Sequence, residues 1–117
     1  MTAEAIVYGA LESLANGQVY PDVAPPNTTA PWITYQSAGG QSFGTVDGAT
    51  PSTRNARMQI AVWARSRLGA AALMEQAFQA LANPTVKAVP IGAPVSVFEN
   101  DTLLYGSRLD FSLTYSG

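Results

Sequence analysis

Residues 54–65 read RNARMQIAVWAR and decide the fold prediction. Every even-numbered residue from position 56 onward is apolar: Ala56, Met58, Ile60, Val62 and Ala64. Because successive side chains of a strand point to opposite faces of a sheet, this alternation predicts a strand from Arg54 to Arg65. The even-numbered residues would face the core. The odd-numbered residues are polar near the strand ends and include Trp63.

The residues before this strand predict a second strand between two irregular segments. Residues 32–36, WITYQ, are rich in aromatic and β-branched side chains, which favour a strand. Residues 17–31 contain four prolines and predict an extended surface connector. Residues 37–53 are rich in Gly, Ser and Thr and too long for a tight hairpin turn. They are either a disordered hairpin tip or a segment that orders on a partner, and we expect them to be mobile in the isolated monomer.

Two stretches with helical periodicity flank this pair of strands. The first helix is predicted over residues 3–15, with Thr2 as N-cap and Asn16-Gly17 as its end. The second is predicted over residues 67–82, with Ser66 as N-cap and Asn83-Pro84 as its stop. The predicted apolar stripe of the first helix is Ala3, Ile6, Val7, Ala10, Leu11 and Leu14. That of the second is Leu68, Ala71, Ala72, Met74 or Glu75, Phe78 and Leu81.

The last third of the chain predicts two or three more strands. Residues 86–89 form a short edge piece, residues 95–99 lead into the turn at Asn100-Asp101, and a long alternating strand covers residues 103–115. The element order is therefore α-β-β-α-β-β, with one additional short strand. It predicts a single α+β domain over residues 1–117, with a mainly antiparallel sheet of four or five strands and two helices packed on one face.

Composition excludes several classes of function. The 117 residues include no Cys and no His, which excludes disulfide scaffolds and catalysis by Ser-His or Cys-His pairs. Only 12% of the residues are charged, about half the usual share. A small protein has much surface to cover, so we expect part of this surface to be covered by other protein. The net charge of −2 argues against a specific nucleic-acid interaction, and no apolar run is long enough for a membrane span.

No constellation of residues predicts an enzyme. Glu99 and Asp101 are the only close pair of carboxylates, and they flank a turn. The glycines at 39, 40 and 44 do not fit a phosphate-binding loop. We therefore predict no catalytic residue, no cofactor and no metal site.

One concentrated feature is cationic. Arg54, Arg57, Arg65 and Arg67 are four of the six basic residues, and Trp63 lies among them. Arg and Trp are enriched where proteins bind one another, because both bury a large area and still donate hydrogen bonds. The predicted subunit or partner interface consists of Arg54, Arg57, Gln59, Trp63, Arg65, Phe43 and Val46. The alternative is that Trp63 packs under a helix and the arginines are solvated strand ends.

Three stretches carry a family resemblance. Residues 19–21, VYP, residues 24–25, AP, and residues 30–36, APWITYQ, resemble the opening of small tail-completion proteins of long-tailed bacteriophages and prophages. Residues 57–65 followed by an Ala-rich helix ending in Leu81 are similar to the central strand and helix of these proteins. The resemblance covers residues 3–82.

This resemblance implies a structural role without cofactors. Members of this family and the related tail terminators assemble as a ring, typically a hexamer, at the head-proximal end of the tail. The expected partners are further copies of the chain, the tail tube protein and the head connector protein. The expected location is the virion tail, and the host cytoplasm during assembly. In isolation the chain is expected to be a monomer. The alternative function is a small bacterial module that binds a peptide or apolar ligand on its sheet.

Overall fold

The computed structural model describes residues 1–41 and 53–116. The helices are α1 (Ala3–Leu11) and α2 (Arg67–Leu81), and a single 3-10 turn covers Ala15–Gly17. The strands are β1 (Val19–Pro21), β2 (Trp32–Ser37), β3 (Thr53–Ala64), β4 (Val89–Glu99) and β5 (Leu104–Ser116). Two helices and five strands in this order make an α+β fold, as predicted.

The five strands form one mixed sheet in the order β1-β2-β3-β5-β4. β1 runs parallel to β2, and the other neighbouring strands are antiparallel. The central pairing aligns Trp32 with Trp63, and Trp63 in turn with Gly106. β4 and β1 are therefore the two edges of the sheet.

The core consists of the even-numbered residues of β3, the odd-numbered residues of β5 and the inner residues of both helices. Tyr8 of α1 contacts Tyr35 with ring centroids 6.3 Å apart, and Phe78 of α2 contacts Phe111 at 6.0 Å. The predicted inward set of β3 is confirmed, since all five of its residues are buried: Ala56, Met58, Ile60, Val62 and Ala64.

The first helix is shorter than predicted. α1 ends at Leu11, and Leu14 is extended and packs on the core from the turn that follows. Leu14 continues the apolar pattern because it packs on the core, although it lies beyond the end of the helix. Asn16 and Gly17 have φ of 56° and 81°, so the residues predicted to end the helix do adopt the left-handed conformation.

The second helix begins at the predicted residue, ends one residue earlier than predicted, and has a different buried stripe. Ser66 is the N-cap, and its Oγ accepts a hydrogen bond from the Gly69 amide at 2.9 Å. The prediction that Leu68, Ala71 and Ala72 face the core is wrong, because all three side chains are exposed, that of Leu68 to 83%. Alanines occur on every side of this helix, so the sequence period does not fix which side is buried, and packing against the sheet decides it. The buried residues are Ala70, Leu73, Met74, Ala77 and Leu81.

Three strand predictions need correction. The additional short strand is Val19–Pro21, inside the predicted surface connector, and Val19 is buried. Residues 86–88 are not a strand, because Asn83 holds the following turn by accepting the amides of Thr85 and Val86. A single strand instead covers Val89–Glu99, with a register shift between Ile91 and Val95.

The last strand begins one residue later than predicted. Leu103 lies in the preceding turn with φ of 58° and is exposed. From Leu104 onward the predicted alternation is confirmed: Leu109, Phe111 and Leu113 are buried.

Candidate interface on the open face of the sheet

The odd-numbered side chains of β3 lie on the side of the sheet that faces away from the core residues Ile60 and Val62. We call this side the open face. Arg57, Gln59 and Trp63 of β3 belong to it, and the register adds Trp32 and further residues of β2 and β5 beside them. Trp63 is partly exposed there. The chain thus leaves a large aromatic side chain in contact with solvent on a sheet surface.

A groove of about 650 Å³ runs over the open face. Its floor is the sheet, with Trp32, Trp63 and Gln59 among its residues. One wall is the segment from Asp22 to Thr28, and the other is formed by Val97, Glu99 and the turn that follows β4. The groove is within the usual size range of binding sites for small molecules or peptide segments.

Hydrogen bonds fix both ends of the proline-rich wall: the Asp22 amide donates to the Tyr35 carbonyl at its start, and the Gln18 side chain holds the residues that follow Thr28. The Gln18 side-chain amide donates to the carbonyl oxygens of Thr29 and Pro31 at 2.7 and 2.8 Å. The Gln18 carbonyl also accepts the Ile33 amide at 2.9 Å. A proline-rich segment makes few internal hydrogen bonds, so these contacts from β1 and its approach fix the wall against β2.

The second wall of the groove, which contains Val97, is held by Arg67 at the start of α2. Its guanidinium donates to the carbonyl oxygens of Gly106 and Val97 at 2.7 and 2.8 Å, so it joins β5 to β4. The same guanidinium lies 5.3 Å from the centre of the Tyr105 ring, which packs at a tilt of 54° against the Phe98 ring with centroids 4.9 Å apart. Arg67 therefore links the helix to the strand that carries the second wall.

The charges of the open face are partly compensated. Arg57 Nε lies 2.7 Å from Asp110 Oδ2 in an ion pair. Since the Arg57 side chain is 47% exposed, this pair contributes only about 0.2–1 kcal/mol. Arg108 and Arg65 are exposed. Aromatic area and guanidinium donors are the groups that contribute most where proteins bind one another.

Tyr35, on the opposite side of β2, marks the acidic side of the molecule. Burial raises the pKa of the Tyr35 hydroxyl, and the charges of Glu4, Tyr8 and Asp22 raise it further. The Asp22 amide also donates to the Tyr35 carbonyl at 2.9 Å, and Tyr8, whose ring contacts that of Tyr35, follows Glu4 by one helical turn. Within residues 1–41 and 53–116, no group of three or more carboxylates is placed to hold a metal ion, and no helix there is long and apolar enough to cross a membrane.

The structure brings together only part of the predicted interface. Arg57, Gln59 and Trp63 share the open face, and Arg65 follows directly after β3 beside the end of the groove. Arg54 has the other strand parity and is exposed near the far end of β3. Phe43 and Val46 lie outside the described residues, as does most of the segment predicted to be mobile.

Sequence reasoning missed the residues that other elements add to this surface. Trp32, Thr34 and Gln36 come from β2, and Asp22 and its neighbours come from the connector. The signal for the first three was present, because residues 32–36 alternate as residues 54–65 do. What was missing was the register, which places Trp32 next to Trp63.

The open face thus presents tryptophan and arginine side chains, which are enriched where proteins bind one another. The sequence model of the family "Tail completion protein gp17" matches residues 2–116, and this chain belongs to that family. It is a structural protein of the phage virion tail and not an enzyme.

Two solved structures share the fold. One is the gp17 protein of bacteriophage SPP1, with 15% sequence identity and a TM-score of 0.53 over 97% of this chain and 88% of that chain. The other is a chain in the virion of a native gene transfer agent particle, with 16% identity and a TM-score of 0.56 over 98% and 95% of the two chains. No curated protein matches the sequence.

Proposed function

We propose that this chain forms a ring of identical copies, six in number, at the head-proximal end of the tail. The ring ends the addition of tube subunits and presents a surface to the head connector. The observation that carries the proposal is the open face, where Trp32 and Trp63 remain accessible in a protein with only 12% charged residues. A surface of this composition is stabilised when another protein covers it.

Membership in the tail completion family supports the place of action. A ring of identical copies uses two different patches on each copy, and the flanks of each copy become interior. Low charge favours such flanks because buried charges need partners. We expect the isolated chain to be monomeric at ordinary concentration and to assemble on the tail tip. Its partners there are further copies, the tail tube protein and the head connector protein.

The first experiment removes the protein from the virion. Particles assembled without it should contain overlong tails or tails without heads, seen by electron microscopy. Complementation with the intact chain should restore normal particles. Virions of normal length and normal head attachment in its absence would contradict the proposal.

The second experiment tests the open face. Trp63→Ala should fold, as judged by an unchanged circular dichroism spectrum, but should fail to restore normal particles. Leu68→Ala is the matched control, because this side chain is exposed on α2 away from the sheet. If Trp63→Ala unfolds the monomer while rings still form from the folded fraction, Trp63 has a core role and the open face is not the interface.

The groove favours a second candidate function, the binding of a peptide or apolar ligand on the sheet. Its volume of about 650 Å³ and its two tryptophans suit such a ligand. Particles assembled without the protein discriminate between the two functions. If the protein is a binding module, its absence should leave tail length and head attachment normal.

A further inference from the structure

The two edges of the sheet differ in chemistry. β1 and β4 are the outer strands of the sheet, so they lie on opposite sides of the molecule. A ring whose copies all have the same orientation joins one side of each copy to the opposite side of the next. Two complementary edges are therefore what a ring subunit requires.

The β4 edge is apolar and exposed. Val89, Ile91 and Val95 are all accessible to solvent on one face of the strand, and Val95 is 51% exposed. Phe98 has the opposite orientation and packs against Tyr105. A long exposed edge strand is a template for pairing with another strand. Pro90 and Pro94 have no amide hydrogen to donate, and the register shift from Ile91 to Val95 includes Pro94. Backbone pairing with another sheet is interrupted in this way, while the apolar side chains stay available for contact.

Basic side chains flank the half of β4 from Val89 to Val95. Lys87 precedes the strand, and Arg108 is the direct neighbour of Val95 on β5. Asp110, opposite Ile91, is already paired with Arg57. Glu99 lies at the other end of the strand.

The β1 edge is acidic. Residues 1–41 contain Glu4, Glu12 and Asp22 but no Lys or Arg. The Asp22 amide donates to the Tyr35 carbonyl at 2.9 Å, and Glu4 lies one helical turn before Tyr8, whose ring contacts that of Tyr35. Both carboxylates therefore belong to this side of the sheet. Val23 follows Asp22 and is 77% exposed, so an apolar side chain stands beside the carboxylates here as well.

We propose that neighbouring copies in the ring meet edge to edge. The apolar half of β4 of one copy, with Lys87 and Arg108, contacts Val23 and the carboxylates of Glu4 and Asp22 on the next. The contact is made by side chains and does not continue the sheet. This inference rests on the proposed ring. It assigns the contacts between copies to the two sheet edges and leaves the part of the open face around Trp32 and Trp63 to the tail tube protein or the head connector protein.

Cysteine cross-linking tests the contact, because the natural chain has no Cys. In particles that carry Val23→Cys and Val95→Cys together, mild oxidation should give a ladder of species larger than dimers on a non-reducing gel. Each single variant should remain monomeric, because the two edges are different. The matched control pairs Val23→Cys with Leu68→Cys, which is more exposed than Val95 but lies on α2, and should give no ladder.

The outcomes separate this inference from the ring itself. Rings seen by electron microscopy without a ladder would overturn the edge contact and leave the ring. A disulfide dimer of the Val95→Cys single variant would also overturn it, because two β4 edges would then face one another. Particles in which the chain forms no ring at all would overturn both proposals.

A charge reversal provides an independent measurement. Lys87→Glu with Arg108→Glu should slow the cross-linking of the double-Cys chain, because two carboxylates would then face Glu4 and Asp22. Adding Glu4→Lys and Asp22→Lys to the same chain should restore the rate. Equal rates in all three chains, or no restoration, would contradict the charge complementarity of the two edges.

Discussion

The indole ring of Trp63 lies across the backbone of Gly106 on the neighbouring strand. A Cβ atom at position 106 would stand 2.8 Å from Cζ3 and 2.9 Å from Cε3 of this ring. The two residues are direct partners in the β3–β5 register. Glycine at position 106 leaves room for the indole ring, and its lack of a side chain allows Trp63 to lie close to the sheet.

Gly106→Ala should therefore destabilise the fold. The added methyl group must displace the indole ring, and overpacking of this kind costs about 1–3 kcal/mol. The free energy of unfolding in urea should fall by this amount, with a shift in tryptophan emission from the displaced ring. Gly9→Ala is the matched control: nothing lies within 4 Å of its added Cβ, and it should stabilise α1 by about 0.5–1 kcal/mol. Equal effects of the two substitutions would contradict the close contact.

Arg67→Ala should loosen the joint between α2, β4 and β5. The variant loses two hydrogen bonds from a charged donor to the carbonyls of Val97 and Gly106, for a cost of about 2 kcal/mol in the free energy of unfolding. Arg67→Lys keeps the charge but not the planar fork, so its loss should be intermediate. Denaturation in urea measures both. Identical unfolding curves for the natural chain, Arg67→Ala and Arg67→Lys would mean that the two hydrogen bonds contribute nothing to stability.

Tyr35 should make the fold sensitive to alkaline pH. Its pKa in the folded state is raised, so ionisation is harder in the folded chain than in the unfolded one. The stabilisation is fully present below the unfolded pKa of about 10 and is lost as pH rises through the folded value. The melting temperature should fall between pH 9 and 12 more steeply for the natural chain than for Tyr35→Phe. Parallel profiles would exclude Tyr35 as the cause.

Gln18→Ala should release the proline-rich wall of the groove. The side chain donates two hydrogen bonds, to Thr29 and Pro31, and their loss should lower the free energy of unfolding by about 1–2 kcal/mol. Gln79→Ala is the control, because its side-chain amide donates only to Glu75 on the exposed surface of α2. It should change stability by less than about 0.5 kcal/mol. A loss at Gln79 as large as that at Gln18 would contradict this role.

Local pattern predicted the elements that have a clear period. The alternation of residues 54–65 fixed both the strand and its inward set, and Ser66 and Asn83 marked the ends of α2. The pattern could not predict β1, because a three-residue strand is too short to show a period and forms only by pairing with β2. It also misjudged Leu68, because the phase of an Ala-rich helix depends on the sheet beneath it.

The candidate interface was predictable only within β3. Arg57, Gln59 and Trp63 are neighbours along one strand face, and the period of two is enough to group them. The contributions of Trp32 and of the Asp22–Thr28 wall depend on register and on a parallel pairing, both of which are set by contacts distant in sequence. The charge difference between the two edges likewise becomes visible only once the strand order is known.

β3 extends beyond the part that pairs with β2, and this affects where the sheet opens locally. The β2–β3 ladder ends at Met58, and two more backbone hydrogen bonds join Arg57 to Ala38 and Gly39, whereas β5 continues along β3 to Thr53. The backbone amides of Thr53 and Arg54 should exchange with deuterium well before those around Ile60, where strands on both sides and buried side chains hold the ladder. One end of this strand should therefore open locally while the centre of the sheet stays folded.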